Sequence, residues 1–291
     1  MSLKGFGMIA MHKTVAVSPM LLIGVVAVLI GCGSSEETAV VTPEQRFEQA
    51  KALFDDEDYQ EAISEFTVIT LQYQGSAVAA DAQFYLAESR FQREEYLLAA
   101  FEFGVLRRNY PASPRASEAQ YKIGFCYYNL SPRSSLDQKY TRRAIDEFQS
   151  FVEYNPNSEF ALDAEAKINE LTSRLAKKQY DVARLYETMG YSRSALLSYD
   201  VVIEKFHDTE YAPLAYLDKA DLLISREQWE EARVTIQAFL SKYPQSEYRD
   251  AGLRLLEEVE RELLSGATTT DAHNQGFAPG TSVPARAGTG G

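Results

Sequence analysis

Between Pro43 and Glu262, apolar side chains return every three to four positions in runs of about twelve to fifteen residues, separated by short polar turns. That period lays one apolar stripe along each run, as a helix with 3.6 residues per turn requires. No segment alternates apolar and polar positions in the manner of a half-buried strand. The pattern predicts an all-α chain.

The runs come in pairs, and the pairs repeat. An alanine followed four residues later by a bulky side chain occurs at Ala62/Phe66, Ala99/Phe103, Ala144/Phe148, Ala195/Tyr199 and Ala232/Ile236. Eight residues beyond the bulky position stand Gln74, Pro111, Pro156, His207 and Pro244, and two further on Ser76, Ser113, Ser158, Thr209 and Ser246. Each unit is thus predicted to end a helix at a breaker or near-breaker and to restart one on a hydroxyl N-cap. Pro114, directly after Ser113, would take the favoured first helical position. An earlier small residue opens every unit, at Ala50, Ala87, Gly124, Ala183 and Ala220, and in all but the third it lies twelve residues before the second-helix alanine. Small residues at both places let two antiparallel helices approach closely while the bulky side chain fills the space between them.

Five copies with shared offsets resemble the tetratricopeptide repeat, which implies a solenoid of five helix-turn-helix units. Two irregularities interrupt it. In unit three, Gly124 precedes Ala144 by twenty residues, and the eight extra fall in Leu130 to Gln138, a Ser- and Pro-containing stretch predicted as a loop. From Ala144 to Ala183 the spacing is thirty-nine residues where the other units show twenty-five, and the added segment holds neither Gly nor Pro. One elongated helix from about Ala161 to Glu187 is therefore predicted to open the fourth unit. Units one to three would occupy residues 43–160, and the long helix with units four and five residues 161–264.

The ends of the chain have a different composition. Lys4 and Lys13 flank the approach to an apolar run, Met20 to Ile30, that is too short to span a bilayer, for which roughly 20 apolar residues are needed. The run leads into Leu29-Ile30-Gly31-Cys32, which looks like a bacterial lipobox. Residues 1–31 would be a signal peptide, Cys32 the acylated first residue of the mature chain, and residues 32–42 a tether. Two or more acyl chains anchor stably where one does not, because each buried methylene contributes about 0.8 kcal/mol. Residue 33 is Gly rather than Asp, which by the sorting rule of such lipoproteins directs the chain to the outer membrane. Ser265 to Gly291, rich in Gly, Thr, Ala and Pro, has no apolar period and is predicted to be a disordered tail. A formal charge of −13 disfavours nucleic acid as a partner, since phosphate binding needs a basic surface.

The lipobox, the five repeats, the interrupted third unit and the long helix together resemble the BamD family, lipoprotein subunits of the outer-membrane β-barrel assembly machinery. The local likeness includes Phe148 to Tyr186, with Asn155-Pro156-Asn157-Ser158, Leu175-Ala176-Lys177 and Tyr180. The resemblance implies a scaffold on the periplasmic face of the outer membrane, held by its lipid. It further implies binding of the barrel-assembly core subunit through the C-terminal repeats, association with other assembly lipoproteins, and contact with unfolded outer-membrane proteins at the N-terminal repeats. Gln74 and His207 at two breaker positions, and the long tail, depart from the family pattern. Two other readings of an anchored repeat protein stay open: a pilotin-like escort of a secretin or pilus component, and an accessory domain of a cell-wall enzyme.

A repeat solenoid curves, and its first helices line the hollow side. Positions three before and one, four and five after the opening small residue would face that hollow. Unit one offers Phe47, Lys51, Phe54 and Asp55, unit two Phe84, Glu88, Phe91 and Gln92, and unit three Tyr121, Phe125, Tyr128 and Asn129. Units four and five keep Tyr180 and Tyr216 at the first offset but change to Glu187 and Ile224 at the third. The candidate peptide-binding set is therefore Phe47, Lys51, Phe54, Phe84, Phe91, Tyr121, Phe125 and Tyr128, two columns of rings suited to an extended peptide with alternating large apolar residues. Strands of β-barrels are such peptides. Lys51 could meet a peptide's terminal carboxylate, and the same rings also suit packing within and between units.

Little else in the sequence carries chemistry. His12, His207 and His273 are not spaced as metal ligands, and no nucleophile–base arrangement is legible. Cys126 is expected to be a buried structural thiol and Trp229 a packing residue. No metal and no cofactor are expected beyond the lipid on Cys32, and nothing argues for an enzyme.

Overall fold

The computed structural model describes residues 41–275, with side chains through residue 265. The leader, Cys32 and the chain beyond residue 275 lie outside the described residues. Within them run eleven helices and no strand: α1 (Pro43–Asp55), α2 (Tyr59–Gln72), α3 (Ala79–Gln92), α4 (Tyr96–Asn109), α5 (Ala116–Leu130), α6 (Lys139–Tyr154), α7 (Ala161–Thr188), α8 (Ser192–Lys205), α9 (Tyr211–Ile224), α10 (Trp229–Lys242) and α11 (Arg249–Gln275). None of the described helices is long and apolar enough to cross a membrane.

The helices pair as the repeat offsets require: α1/α2, α3/α4, α5/α6, α7/α8 and α9/α10. The opening residues Ala50, Ala87, Ala183 and Ala220 and the five second-helix alanines Ala62, Ala99, Ala144, Ala195 and Ala232 are all fully buried, as are Phe66, Phe103, Phe148, Tyr199 and Ile236. Each bulky side chain taken wholly out of water contributes about 1.5–3 kcal/mol, so this interlock is the main force closing every hairpin. In unit three the opening position is glycine for a steric reason. A Cβ at Gly124 would lie 2.7 Å from Cδ1 of the buried Phe148 ring.

A second small column emerges in three dimensions: Ala82, Ala119, Ala164 and Ala215, all fully buried, with Gly252 as its last member. A Cβ at Gly252 would meet the Phe239 ring at 2.7 Å. These residues seat each first helix against the second helix of the preceding unit, which turns separate hairpins into one stack.

The turns within the hairpins are also repetitive. Glu57, Glu94 and Glu227 adopt positive φ, and Gly190 takes the same place in unit four. Only at glycine does this conformation carry no steric cost. Unit three has its insertion at this point, so the strained turn is replaced by a longer loop.

Helix starts differ from expectation. Ser113, Ser158 and Ser246 do accept a backbone N–H two residues on, at 3.2–3.3 Å. They cap a single preceding turn, and the helices begin three residues later, α5 and α7 without a side-chain cap of their own. Pro114 correspondingly lies in that turn and not in the first helical turn. At the two breaker positions without proline, the carbonyls of Gln74 and His207 accept the hydroxyl of a tyrosine from the next unit, Tyr110 at 3.2 Å and Tyr243 at 2.7 Å.

Consecutive first helices touch one another directly, α1 with α3, α5 with α7, α7 with α9 and α9 with α11, whereas second helices meet mainly the first helices on either side. The stack therefore bends toward the first-helix side, which forms its hollow face.

Helix α7 opens the fourth unit as a single 28-residue element. Its first half buries Ala164 and Leu171 in the core of unit three, and its second half places Tyr180 and Ala183 in the core of unit four. Ion pairs one turn apart, Lys167–Asp163, Arg174–Glu170 and Lys177–Asp181, support its exposed side. The inserted loop folds around Gln138, whose amide donates to the carbonyls of Arg133 at 2.9 Å and Leu136 at 3.0 Å.

At the far end, Val259 of α11, with Leu255, Leu256 and Leu263 beside it, covers the apolar face of unit five and spares the stack an open end. This helix continues to Gln275, past residue 265 where sequence composition placed the start of the tail. Once nucleated by packing, a helix propagates readily through residues that would not start one, and the next proline is Pro279.

Candidate functional site

The hollow side of units one to three is built by α1, α3, α5 and the first half of α7. Its aromatic residues form rungs that cross the unit boundaries. Tyr85 stands between units one and two, with its ring centroid 6.0 Å from Phe47, 5.2 Å from Phe54 and 5.8 Å from Phe66. Phe91 stacks on Phe125 at 5.5 Å across the next boundary, and Phe125 stacks on Tyr128 at 5.9 Å. Tyr121 lies flat on Phe160 at 4.7 Å across the third.

Cations cover the first two of these rungs. The Lys51 ammonium sits 5.5 Å from the Phe54 centroid and 5.0 Å from that of Tyr85. Lys122 lies 5.1 Å from Phe91, and Lys167 lies 5.1 Å from Phe125 and 4.7 Å from Tyr128. Each also pairs with a carboxylate: Lys51 with Asp55, Lys122 with Glu88 at 2.9 Å and Lys167 with Asp163 at 3.4 Å. A cation over an aromatic face is worth about 0.5–2 kcal/mol, enough to fix the lysine heads above the rings.

Two of the eight sequence-derived site residues are removed from this surface. Phe84, only 4% exposed, faces into the core against Phe103 at 5.6 Å. Tyr121, at 8%, packs on Phe148 and Phe151 and donates its hydroxyl to Asp163. Both stand three residues before the opening small position, an offset that is covered where a unit precedes it. Phe47, at the same offset in unit one, has no preceding unit among the described residues and stays half-buried. Phe47, Lys51, Phe54, Phe91, Phe125 and Tyr128 remain half-buried and line the hollow.

Three participants escaped the sequence reading: Tyr85, Lys122 and Lys167. All lie three residues after the second small column, at Ala82, Ala119 and Ala164, so that column was the signal that would have located them. From there each reaches over the ring that the preceding unit offers four residues after its opening small position. Arg115 adds a further contact, its guanidinium 4.5 Å from the Phe84 centroid and bonded to Asp81 at 2.7 Å.

Titration within the site follows the packing. Burial, and then the hydrogen bond to Asp163, pushes the Tyr121 phenol up from its ordinary value. At Tyr128 the hydrogen bond to Glu170 is the larger cause of the same upward direction. Burial pushes the Cys126 thiol up to about 12, so it stays neutral and packs as a small apolar group in the core of unit two. Among the described residues, no cluster of three His, Cys, Asp or Glu side chains could hold a metal ion.

A curved stack of helical hairpins with a ring-lined hollow defines a tetratricopeptide-type repeat solenoid. Among solved structures it is similar to the TPR2AB domain of yeast Sti1 in its pHSP90 complex, at 15% identity and a TM-score of 0.39, over 80% of this chain and 96% of that one. It is likewise similar to the TPR domain of P58(IPK), at 17% identity and a TM-score of 0.39, over 77% of this chain and 66% of that one. The chain belongs to the YfiO family of outer membrane lipoproteins, whose model matches residues 40–233. It is 25% identical to the outer membrane protein assembly factor BamD of Rickettsia prowazekii over 86% of this chain and 100% of that protein. It is 28% identical to BamD of Caulobacter vibrioides over 113 residues, 39% of this chain and 37% of that protein.

Proposed function

We propose that this chain is an outer membrane protein assembly factor whose hollow face holds extended segments of unfolded β-barrel proteins. The observation that carries the reading is the series of half-buried rings, Phe54, Phe91, Phe125 and Tyr128, each roofed by a lysine of its own or the next unit. A barrel strand has large apolar and aromatic side chains on alternate positions. Those side chains can insert between the rungs, while Lys51, Lys122 and Lys167 offer donors to strand carbonyls or to a terminal carboxylate. The two relatives named as assembly factors support the same role. In this reading the C-terminal units, set apart by α7, hold the barrel-assembly core subunit and meet other assembly lipoproteins. Acyl chains on Cys32 keep the whole on the periplasmic face of the outer membrane. The role is that of a scaffold and not of an enzyme.

The test is binding of a labelled peptide that copies the last strand of an outer-membrane barrel. Phe54→Ala with Phe91→Ala is expected to weaken it by about 1–3 kcal/mol, the range of buried aromatic anchors. An unchanged affinity removes the hollow face as the site and leaves the scaffold role to be sought elsewhere on the stack.

A further inference from the structure

The outer face carries a feature that the hollow-side reading does not use. On α4, Leu97 and Phe101 point outward and are 50% and 59% exposed. Beside them a cavity of about 340 Å³ opens between α4 and α6, with Gly104 and Tyr127 in its floor and Arg107, Arg108 and Arg143 around it.

The repeat supplies an internal control. Positions equivalent to Leu97, Phe101 and Gly104 are Gln60, Ser64 and Thr67 in unit one, Arg142, Asp146 and Gln149 in unit three, Arg193, Leu197 and Asp200 in unit four, and Glu230, Val234 and Gln237 in unit five. Packing of the stack therefore does not require apolar residues there, since units one and three close their hairpins with polar ones. Leu197 and Val234 repeat the exposed apolar residue of Phe101, and what sets unit two apart is the addition of Leu97 and Gly104. Gly104 is equally unforced. A Cβ would meet only the mobile end of Arg108, at 3.2 Å. Glycine inside a helix weakens it relative to other residues, so here it costs stability and leaves space.

The charge around the cavity is opposite to that of the chain as a whole. Three guanidinium groups line it against one carboxylate, Glu147, which is bonded to Arg143 at 2.7 Å and lies 3.5 Å from Arg107. No ion pair of Arg108 exists among the described residues. In a protein of net charge −13, this is a local positive site beside two exposed apolar side chains.

We propose that the α4–α6 cavity is a second docking site, taking a short acidic segment of a partner protein that inserts a leucine or phenylalanine above Gly104. Leu97 and Phe101 flank the inserted side chain, and the partner's carboxylates meet Arg108 and Arg143. Because the site lies on the second-helix side, a partner can occupy it while the hollow face is filled.

The experiment uses the full chain in nanodiscs of neutral lipid, and fluorescence anisotropy of a short labelled peptide of Glu, Leu and Phe. Its counterpart carries Lys in place of Glu. The parent chain is expected to bind the acidic peptide and not the basic one. The variant Leu97→Gln/Phe101→Ser/Gly104→Thr, which installs the residues of unit one, is expected to bind at least about tenfold more weakly with its helix content and melting retained. Arg108→Glu alone, a change at an exposed side chain that leaves the packing intact, is expected to weaken binding about as much. Equal affinity of parent and variants, or equal affinity for the basic peptide, overturns the proposal. So does self-association of the parent that the triple variant abolishes without any peptide binding, or retention on anionic vesicles in place of peptide.

Discussion

The guanidinium of Arg174 donates to both the carbonyl and the hydroxyl of Ser131, at 3.1 and 2.7 Å. Ser131 begins the inserted loop of unit three, and Arg174 lies in the extra turns of α7. The two departures from regular repeat spacing are thus one device, in which the lengthened helix reaches back to hold the lengthened loop. Lys178 joins them with a bond to the Leu136 carbonyl at 2.8 Å. Bonds from a charged donor contribute about 1.5–3 kcal/mol when partly buried, and solvent screening reduces that here. Arg174→Met is expected to lower the stability of the chain by about 1–2 kcal/mol in urea. Hydrogen exchange at residues 131–138 should rise more than exchange in units one and five. A uniform rise along the stack would mean that the loop is held by its own contacts around Gln138.

Gly124 tests the steric account of the third unit. Alanine there gains up to about 1 kcal/mol of helix propensity, but its Cβ meets a fully buried ring, and overpacking costs about 1–3 kcal/mol. Gly124→Ala is expected to be destabilising on balance. Adding Phe148→Leu should recover part of the loss, which a double-mutant cycle in urea would measure.

The division of the rings into core and surface has a direct consequence. Phe84→Ala is expected to cost about 3–5 kcal/mol of stability, because it empties a packed site. Phe91→Ala should cost less stability and act on peptide affinity instead. Melting and peptide titration on both variants separate the two roles. A selective loss of binding in Phe84→Ala would contradict its placement in the core.

Alkaline pH should loosen the chain through its buried phenols. Burial raises the Tyr121, Tyr180 and Tyr199 hydroxyls, which also donate to Asp163, Asp218 and Glu187. Their folded values lie above the ordinary value of about 10, so the unfolded chain loses these protons first as pH rises. The stability they contribute is present below that value and is lost as pH climbs through it toward the folded ones. Melting temperature is expected to fall above about pH 10. Tyr180→Phe, which removes one such proton, should make the fall shallower, and an unaltered pH profile would place the alkaline sensitivity elsewhere.

Much of the architecture was legible in the residues alone. The alanines at fixed offsets from Phe66, Phe103, Phe148, Tyr199 and Ile236 specify the hairpins, because only small residues let two helices approach while one bulky side chain fills their gap. The spacing between Ala144 and Ala183, with no glycine or proline in the added stretch, specifies α7 almost to the residue. These are local facts, set by helical period and side-chain volume.

What only the tertiary structure decided is which rings face the hollow and which face the core. Phe84 and Phe91 lie two turns apart on one helix and read alike in sequence, yet one fills the seam between units and the other lines the hollow. Their fates depend on the rotation of α3 against its neighbours, set by Ala82 and Ala87 together. Lys122 and Lys167 likewise acquire their place above Phe91 and Tyr128 only when the next unit docks. Such contacts join residues about 30 to 40 positions apart, and no helical period carries that information.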